Sequence, residues 1–177
     1  MGIWPSPTAP IDELALTFVD VETTGLDSTT GDRVCEIALL RVCGDQEIGR
    51  FESLVHPQRP MTPGAIAVNG ITDALLVDAP PFAAVLPQVQ ALLQDAVLVA
   101  HNARFDVGFL RYEWQIAGQT LPSLAVVDTL ALAQARYRFR HNSLGAIAGE
   151  LGIIPTSLHR AMADVLITWQ EIGRAHV

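Results

Sequence analysis

Leu14 to Val21 (LALTFVDV) is an apolar run rich in strand formers, closed by the turn residues Thr23, Thr24 and Gly25, and it predicts a buried strand. Two further strand-like segments follow, Arg33 to Val42 and Glu47 to Val55. The residues between them, Cys43-Gly44-Asp45-Gln46, have the length and types of a hairpin loop, so the first three strands predict an antiparallel meander. Beyond the Pro57 to Pro63 loop the period changes. A short helix over Gly64 to Val68 is stopped by Asn69-Gly70, and a longer one runs from about Pro81 to Gln94. Val97 to Ala100 (VLVA) is too short and too apolar for anything but a buried strand. Asn102 caps a helix reaching about Ala117, Leu124 to Val127 makes another short strand, and the remainder is helical in three pieces. Strands first, then strand and helix alternating, predict an α/β sheet with helices on its faces.

A chain of 177 residues suits one domain, 1–177, with residues 1–12 as a flexible N-terminal segment. Charge changes the picture more than size does. There are 11 Arg, no Lys and 19 acidic residues, for a net charge of -8 and a pI near 4.9, which excludes a broad basic footprint for nucleic acid. It leaves room for a small catalytic site, because two bound divalent cations would bring the net charge to about -4. Cys35 and Cys43 stand eight apart in one predicted strand, so about 26 Å separates their Cα atoms, and they read as reduced. The N-terminus has no basic segment followed by an apolar run, and nothing approaches the ~20 apolar residues that span a bilayer. The expectation is a soluble, cytoplasmic protein with no membrane partner. Met1, Gly2 and Ser6 fit a loose myristoylation pattern, set aside because so short a pattern is common by chance and Pro5 makes the segment turn-like.

The candidate chemistry lies in four carboxylates and a histidine. Asp20 and Glu22 are two apart at the end of the first strand, so both side chains point to one face, where they repel unless one merely caps the turn or a hard cation lies between them. Asp106 falls in the first turn of the helix that follows VLVA, a place where an acid either stabilises its helix or serves a ligand site at a strand end. In HRAMADV, which opens the last helix, Met162, Val165, Leu166 and Trp169 form an apolar stripe. Asp164 falls on the opposite side, as a solvated Asp would. His159 precedes that helix on a loop, where imidazole can accept a proton at neutral pH.

Singly these signals are weak; their joint order is not. Asp-x-Glu, then Asp, then His-x4-Asp resembles the DEDDh pattern of the DnaQ-like exonucleases from Thr17 to about Thr168. FVDVETTGLD is similar to the first motif, HNARFDVGFL to the second and HRAMADV to the third, with VNGIT (Val68 to Thr72) resembling the intervening substrate loop. The resemblance implies an RNase H-like fold, a mixed five-stranded sheet in which the antiparallel meander is joined by parallel strands. It implies a metal-dependent 3′-to-5′ exonuclease that releases nucleoside 5′-monophosphates from single-stranded DNA ends. Two Mg²⁺ or Mn²⁺ ions would be its cofactors: Asp20 bridges both, Glu22 and Asp164 bind one, Asp106 completes the second, and His159 is the general base. Cations about 4 Å apart can generate hydroxide and stabilise the leaving oxygen. Thr23 and Gly25 resemble positions whose backbone approaches the terminal nucleotide. Phe105 and Ile71 could stack on the last bases or simply be core, and Asn102 would orient the site or only cap its helix.

Arg136, Arg138 and Arg140 alternate with Tyr137 and Phe139 in the one dense basic cluster, either a phosphate contact or a solvated loop. Thirteen residues follow Asp164, without the tail that tethers the family's proofreading subunits. The acidic surface also differs from relatives that grip structured RNA. Both favour a free-standing enzyme, or an excised domain with a polymerase or fused partner. Competing readings are an exoribonuclease or oligoribonuclease-like enzyme, a non-catalytic module that binds nucleic acid or a polymerase, and an unrelated metallophosphatase.

Overall fold

Alternation along the first strand decides the architecture. In the computed structural model, which describes residues 10–137, 139–154 and 159–174, β1 (Ala15–Thr23) sends Val19 and Val21 into one apolar cluster and Leu16 and Phe18 into another on the opposite face. β1 pairs antiparallel with β2 (Val34–Cys43), which pairs antiparallel with β3 (Gln46–Leu54). This is the expected meander, with β1 running two residues beyond Val21 so that Glu22 lies within the strand opposite Glu36.

After β3 come α1 (Pro63–Asn69), the four-residue α2 (Asp73–Leu76) that the sequence pattern does not signal, and α3 (Phe82–Leu93). Gly70 ends α1 at φ 70°, a left-handed C-cap that glycine adopts without strain. α3 buries Phe82, Val85, Leu86, Val89 and Leu93, a three-and-four spacing that makes one apolar stripe against the sheet. β4 (Val97–Ala100) and β5 (Ala125–Asp128) then extend the sheet in parallel, giving the order β3-β2-β1-β4-β5.

α4 (Ala103–Ile116) lies between β4 and β5 and packs Phe109, Leu110 and Trp114 into the Val19–Val21 cluster. α5 (Thr129–Arg136), α6 (Leu144–Glu150) and α7 (Ala161–Arg174) follow, and α7 covers the Leu16–Phe18 face with Ala161 and Val165. The stripe expected on α7 is thus seated, with Met162, Leu166 and Trp169 packed on that cluster. The segment expected to be flexible lies largely outside the described residues; Ile11–Glu13 forms a single 3-10 turn, with Ile11 against the core. Cys35 and Cys43 are both free, as expected. No helix among the described residues is long and apolar enough to cross a membrane.

Candidate active site

The alternation that sends Leu16 and Phe18 toward α7 sends Asp20 and Glu22 the same way. Asp164, in the first turn of α7, meets them: one ligand atom from each of Asp20, Glu22 and Asp164 lies within 4.8 Å of the others. Helical position alone leaves Asp164 open between a solvated surface acid and a site residue, and the surface reading does not describe this structure. Asp164 is 7% exposed, because the stripe that seats α7 also presses its first turn onto the strand ends.

Asp106 reaches the cluster by another route. β4 pairs with β1 only from Leu16 to Phe18 and then leaves the sheet to become α4. Asp106 Oδ1 accepts the Val21 N–H at 3.1 Å, beyond the last β1–β4 pair, so the carboxylate stands where a strand carbonyl would have continued the ladder. It is 2% exposed.

Crowding acids in a dry place favours their neutral forms. Burial is the main cause throughout. It pushes Asp106 up to about 8 and Glu22 up to about 7, and raises Asp20 well above the usual range, with Asp106, Asp164 and Glu22 adding like-charge repulsion. Asp164 is raised less freely, since the His159 N–H on its Oδ2 (3.2 Å) opposes the desolvation. Its other oxygen, Oδ1, is buried with no hydrogen-bond partner among the described residues. A buried orphan acceptor beside two more carboxylates, with oxygen donors only, fits a hard divalent cation such as Mg²⁺ or Mn²⁺.

His159 is exposed at the mouth of the cluster, φ 58°, a left-handed conformation that costs a non-glycine residue. Two contacts hold it there. One is its N–H on Asp164. The other runs through its neighbour: Arg160 donates from Nε (3.1 Å) and Nη2 (2.6 Å) to Glu36, whose Oε2 also accepts the Ala161 N–H at 3.0 Å at the start of α7. Glu36 on β2 therefore pins both the loop and the helix start, and sequence reading passed over it. Its signal was a lone carboxylate inside the apolar run VCEIALL. Glu36→Ala is expected to lower kcat about 10- to 100-fold with KM changed less than threefold, read by steady-state cleavage of a labelled oligonucleotide. An unchanged kcat would show that the clamp does not position the loop.

The remaining candidates divide. Thr23 is buried and donates its hydroxyl to the Gly25 carbonyl, closing the turn after β1. Gly25 has a local cause: a Cβ there would collide with the Asp32 carboxylate, which takes the Thr24 hydroxyl (3.1 Å), the Asp27 N–H (3.2 Å) and Arg59 (3.0 Å). Asn102 makes no side-chain cap bond. It sits at φ 65°, and its own N–H donates to Asp128 Oδ1 at 3.1 Å, which corrects the capping expectation and adds Asp128, an acid between strand and helix, to the supports. Ile71 is 1% exposed in a cluster with Cys35, Met61 and Leu76, so of its two readings the core one describes this structure. Phe105 is half-buried, with its ring 4.8 Å from that of Phe109.

Two residues of VNGIT have distinct surroundings. Asn69 is buried, hydrogen-bonds Glu22 and donates toward the Thr23 carbonyl at 3.4 Å, tying α1 to the end of β1. Val68 is 58% exposed. In the basic cluster, Arg138 lies outside the described residues, Arg136 and Arg140 are exposed, and the Tyr137 and Phe139 rings stack at 5.0 Å.

Residues 17–172 match the exonuclease family RNase T. A DNA polymerase III subunit epsilon-like protein from Rhodobacter capsulatus is 37% identical over 93% of this chain and 24% of its own length. The PolC-type DNA polymerase III of Bacillus cereus is 39% identical over 84% of this chain and 10% of its own. The chain thus spans about a quarter or less of the length of these relatives. Exonuclease I shares the fold at a TM-score of 0.82 and 22% identity, over 92% of this chain and 40% of its own.

Proposed function

The chain belongs to the RNase T family of exonucleases, in its DnaQ-like DEDDh form on an RNase H-like fold, and is a hydrolytic exonuclease; from that premise we propose that it removes nucleoside 5′-monophosphates from the 3′ end of single-stranded DNA. The observation that carries the reading is the packing of Asp20, Glu22 and Asp164 within 4.8 Å around a buried, unpartnered carboxylate oxygen. Four acids with raised proton affinity are costly to ionise together unless cations share the site.

Asp20, Glu22, Asp106 and Asp164 would hold two divalent cations, which supply Lewis acidity and charge neutralisation at the phosphodiester when bound. The chain's own groups do the rest. His159 takes the proton of the attacking water as the new P–O bond forms and the bond to the 3′ oxygen of the preceding nucleotide breaks; that oxygen leaves with a proton from solvent. Its place on a loop tied to Asp164 and, through Arg160, to Glu36 holds the imidazole beside the carboxylates. Closure of the β1 turn by Thr23 and Gly25 keeps that backbone available to the terminal nucleotide, and Phe105 offers a ring to a base. DNA is preferred to RNA because the Rhodobacter capsulatus and Bacillus cereus relatives are DNA polymerase III proteins, and a polymerase is the partner that likeness suggests.

The test is a time course on matched 5′-labelled DNA and RNA 12-mers with Mg²⁺ or Mn²⁺. Expected are products shortened one nucleotide at a time on DNA, more slowly on RNA, none in EDTA, and a rate reduced about 10²- to 10⁴-fold by His159→Ala. Release of the label as a mononucleotide before any shortened strand appears, or an intact oligonucleotide, would remove the proposal. RNA cut faster than DNA would move it to an exoribonuclease.

A further inference from the structure

We propose that Gly108 is a substrate-binding position, left without a side chain so that a nucleoside unit of the substrate strand can enter the cavity beside it. The inference rests on the exonuclease reading above for its ligand, but its observations are separate.

Gly108 is the sixth residue of the 14-residue α4. Glycine is among the poorest helix formers, so an interior helical glycine calls for a reason. Conformation supplies none, since Gly108 is absent from the positive-φ glycines. Packing supplies none either: a Cβ built there meets no heavy atom within 4 Å. By contrast, a Cβ on Gly25 would strike Asp32, and one on Gly49 would come within 2.7 Å of the Leu92 side chain. Gly64, Gly149 and Gly173 have equally open surroundings, but they stand second or next to last in their helices, where glycine costs little.

What Gly108 faces is a cavity of about 380 Å³, within the range of small-molecule sites. One wall is the segment just after β1, including Leu26, Ser28 and Thr29; the other is the first half of α4, including Arg104, Phe105 and Gly108. Each wall continues directly from a cluster residue: Leu26 is four residues beyond Glu22, and Phe105 adjoins Asp106. Phe105 and Gly108 are three apart and share a helix face.

The chemistry of the walls suits a nucleoside and its phosphate, read without regard to base. Phe105 presents a ring for stacking, Leu26 is 87% exposed on the opposite side, Arg104 is an exposed cation and Ser28 brings a hydroxyl; Asp27, an exposed carboxylate that holds the Thr29 N–H and hydroxyl, lines the Leu26 wall and confines a phosphate to the Arg104 side. A Cβ at position 108 would enter this space without touching the protein, and a larger side chain would fill it. Either would favour the helix and obstruct the ligand, effects of opposite sign.

Thermal unfolding, steady-state cleavage of 5′-labelled dT12 with Mg²⁺, and fluorescence anisotropy on a fluorescein-dT12 with cleavage-resistant 3′ phosphorothioate linkages test this on wild type, Gly108→Ala and Gly108→Leu. The expected result is a Tm about 2–4 °C higher for Gly108→Ala. KM and the anisotropy Kd should rise by about tenfold or more for Gly108→Leu, with kcat within about twofold of wild type. A lower Tm for Gly108→Ala would mean that the fold requires the glycine, and unchanged KM and Kd for Gly108→Leu would mean that the cavity holds no substrate; either overturns the proposal. Wild type that binds the phosphorothioate strand but never shortens dT12 removes the exonuclease reading alone, because the Kd ratio still reports on Gly108.

Discussion

Asp20→Asn is expected to lower the cleavage rate by about 10³-fold or more while making the metal-free protein more stable at pH 8. The first half follows from position. Asp20 is the carboxylate that Asp106, Asp164 and Glu22 all act on, so it stands at the centre of the charge that would hold the cations. Asparagine keeps the shape and one carbonyl oxygen but removes the charge, and 10³-fold corresponds to roughly 4 kcal/mol of barrier. The second half follows from repulsion. Without metal, each ionised acid in the cluster raises the cost of the others, so the neutral isostere should add about 1 kcal/mol, or about 2–4 °C in Tm for a chain of this size. The gain should fade at pH 5, where the wild-type acids are already protonated. Kinetics with Mg²⁺ and thermal scans in EDTA at both pH values check the pair of outcomes. A variant that cleaves normally, or that is less stable at pH 8, would show that Asp20 is not the centre of a metal-binding cluster.

The metal-free protein should also lose stability as pH rises from 6.5 to 8.5, and Mg²⁺ should restore it. The sign comes from the raised carboxyls. Unfolded, Asp and Glu titrate near 4, whereas folding pushes Glu22 to about 7 and Asp106 to about 8. The native state therefore holds more protons than the unfolded state. Its extra stability is fully present below about pH 4 and is lost as pH climbs through 7 and 8. Glu171, buried at 5% exposure and raised to about 7, adds to the same slope from outside the cluster. His101 is lowered by burial and gives the opposite slope, but only below its unfolded value near 6.5, hence the chosen window. Tm in EDTA should drop by about 5 °C or more across it. Saturating Mg²⁺ should raise Tm more at pH 8.5 than at 6.5, because cations bind the ionised carboxylates and need no proton displaced at the higher pH. The Glu171 part of the slope should survive the metal. A Tm that climbs with pH in EDTA, or a Mg²⁺ effect equal at both ends, would contradict this account.

Much of the site was legible in one dimension because its residues interrupt patterns that otherwise hold. Asp20 and Glu22 are charges at the end of an apolar strand, and period two alone puts them on one side. Asp106 follows a four-residue strand too apolar to be anywhere but inside. Asp164 was the hardest, since helical periodicity placed it off the apolar stripe, where a surface residue looks the same. What makes it buried is the docking of α7 across β1 and β2, a contact between segments more than a hundred residues apart. Glu36, Asn69 and Asp128 escaped for a related reason. Each is a polar side chain whose partner comes from another element: Arg160 and Ala161 for Glu36, Glu22 and Thr23 for Asn69, and the Asn102 N–H for Asp128.

The sequence by itself determined which segments are strands and which, α2 apart, are helices, which face of β1 carries the acids, and, through motif order, the family. These are properties of local periodicity, set by the geometry of a single segment. Only the tertiary structure decided that Asp106 replaces a missing strand partner of Val21, that Glu36 clamps the loop of His159, that Ile71 packs in the core, and that the helical Gly108 opens on a cavity. Each of these depends on where a second element lies in space. No spacing along one chain encodes that directly, because the distance between two packed elements is settled by the side chains that fill the gap between them.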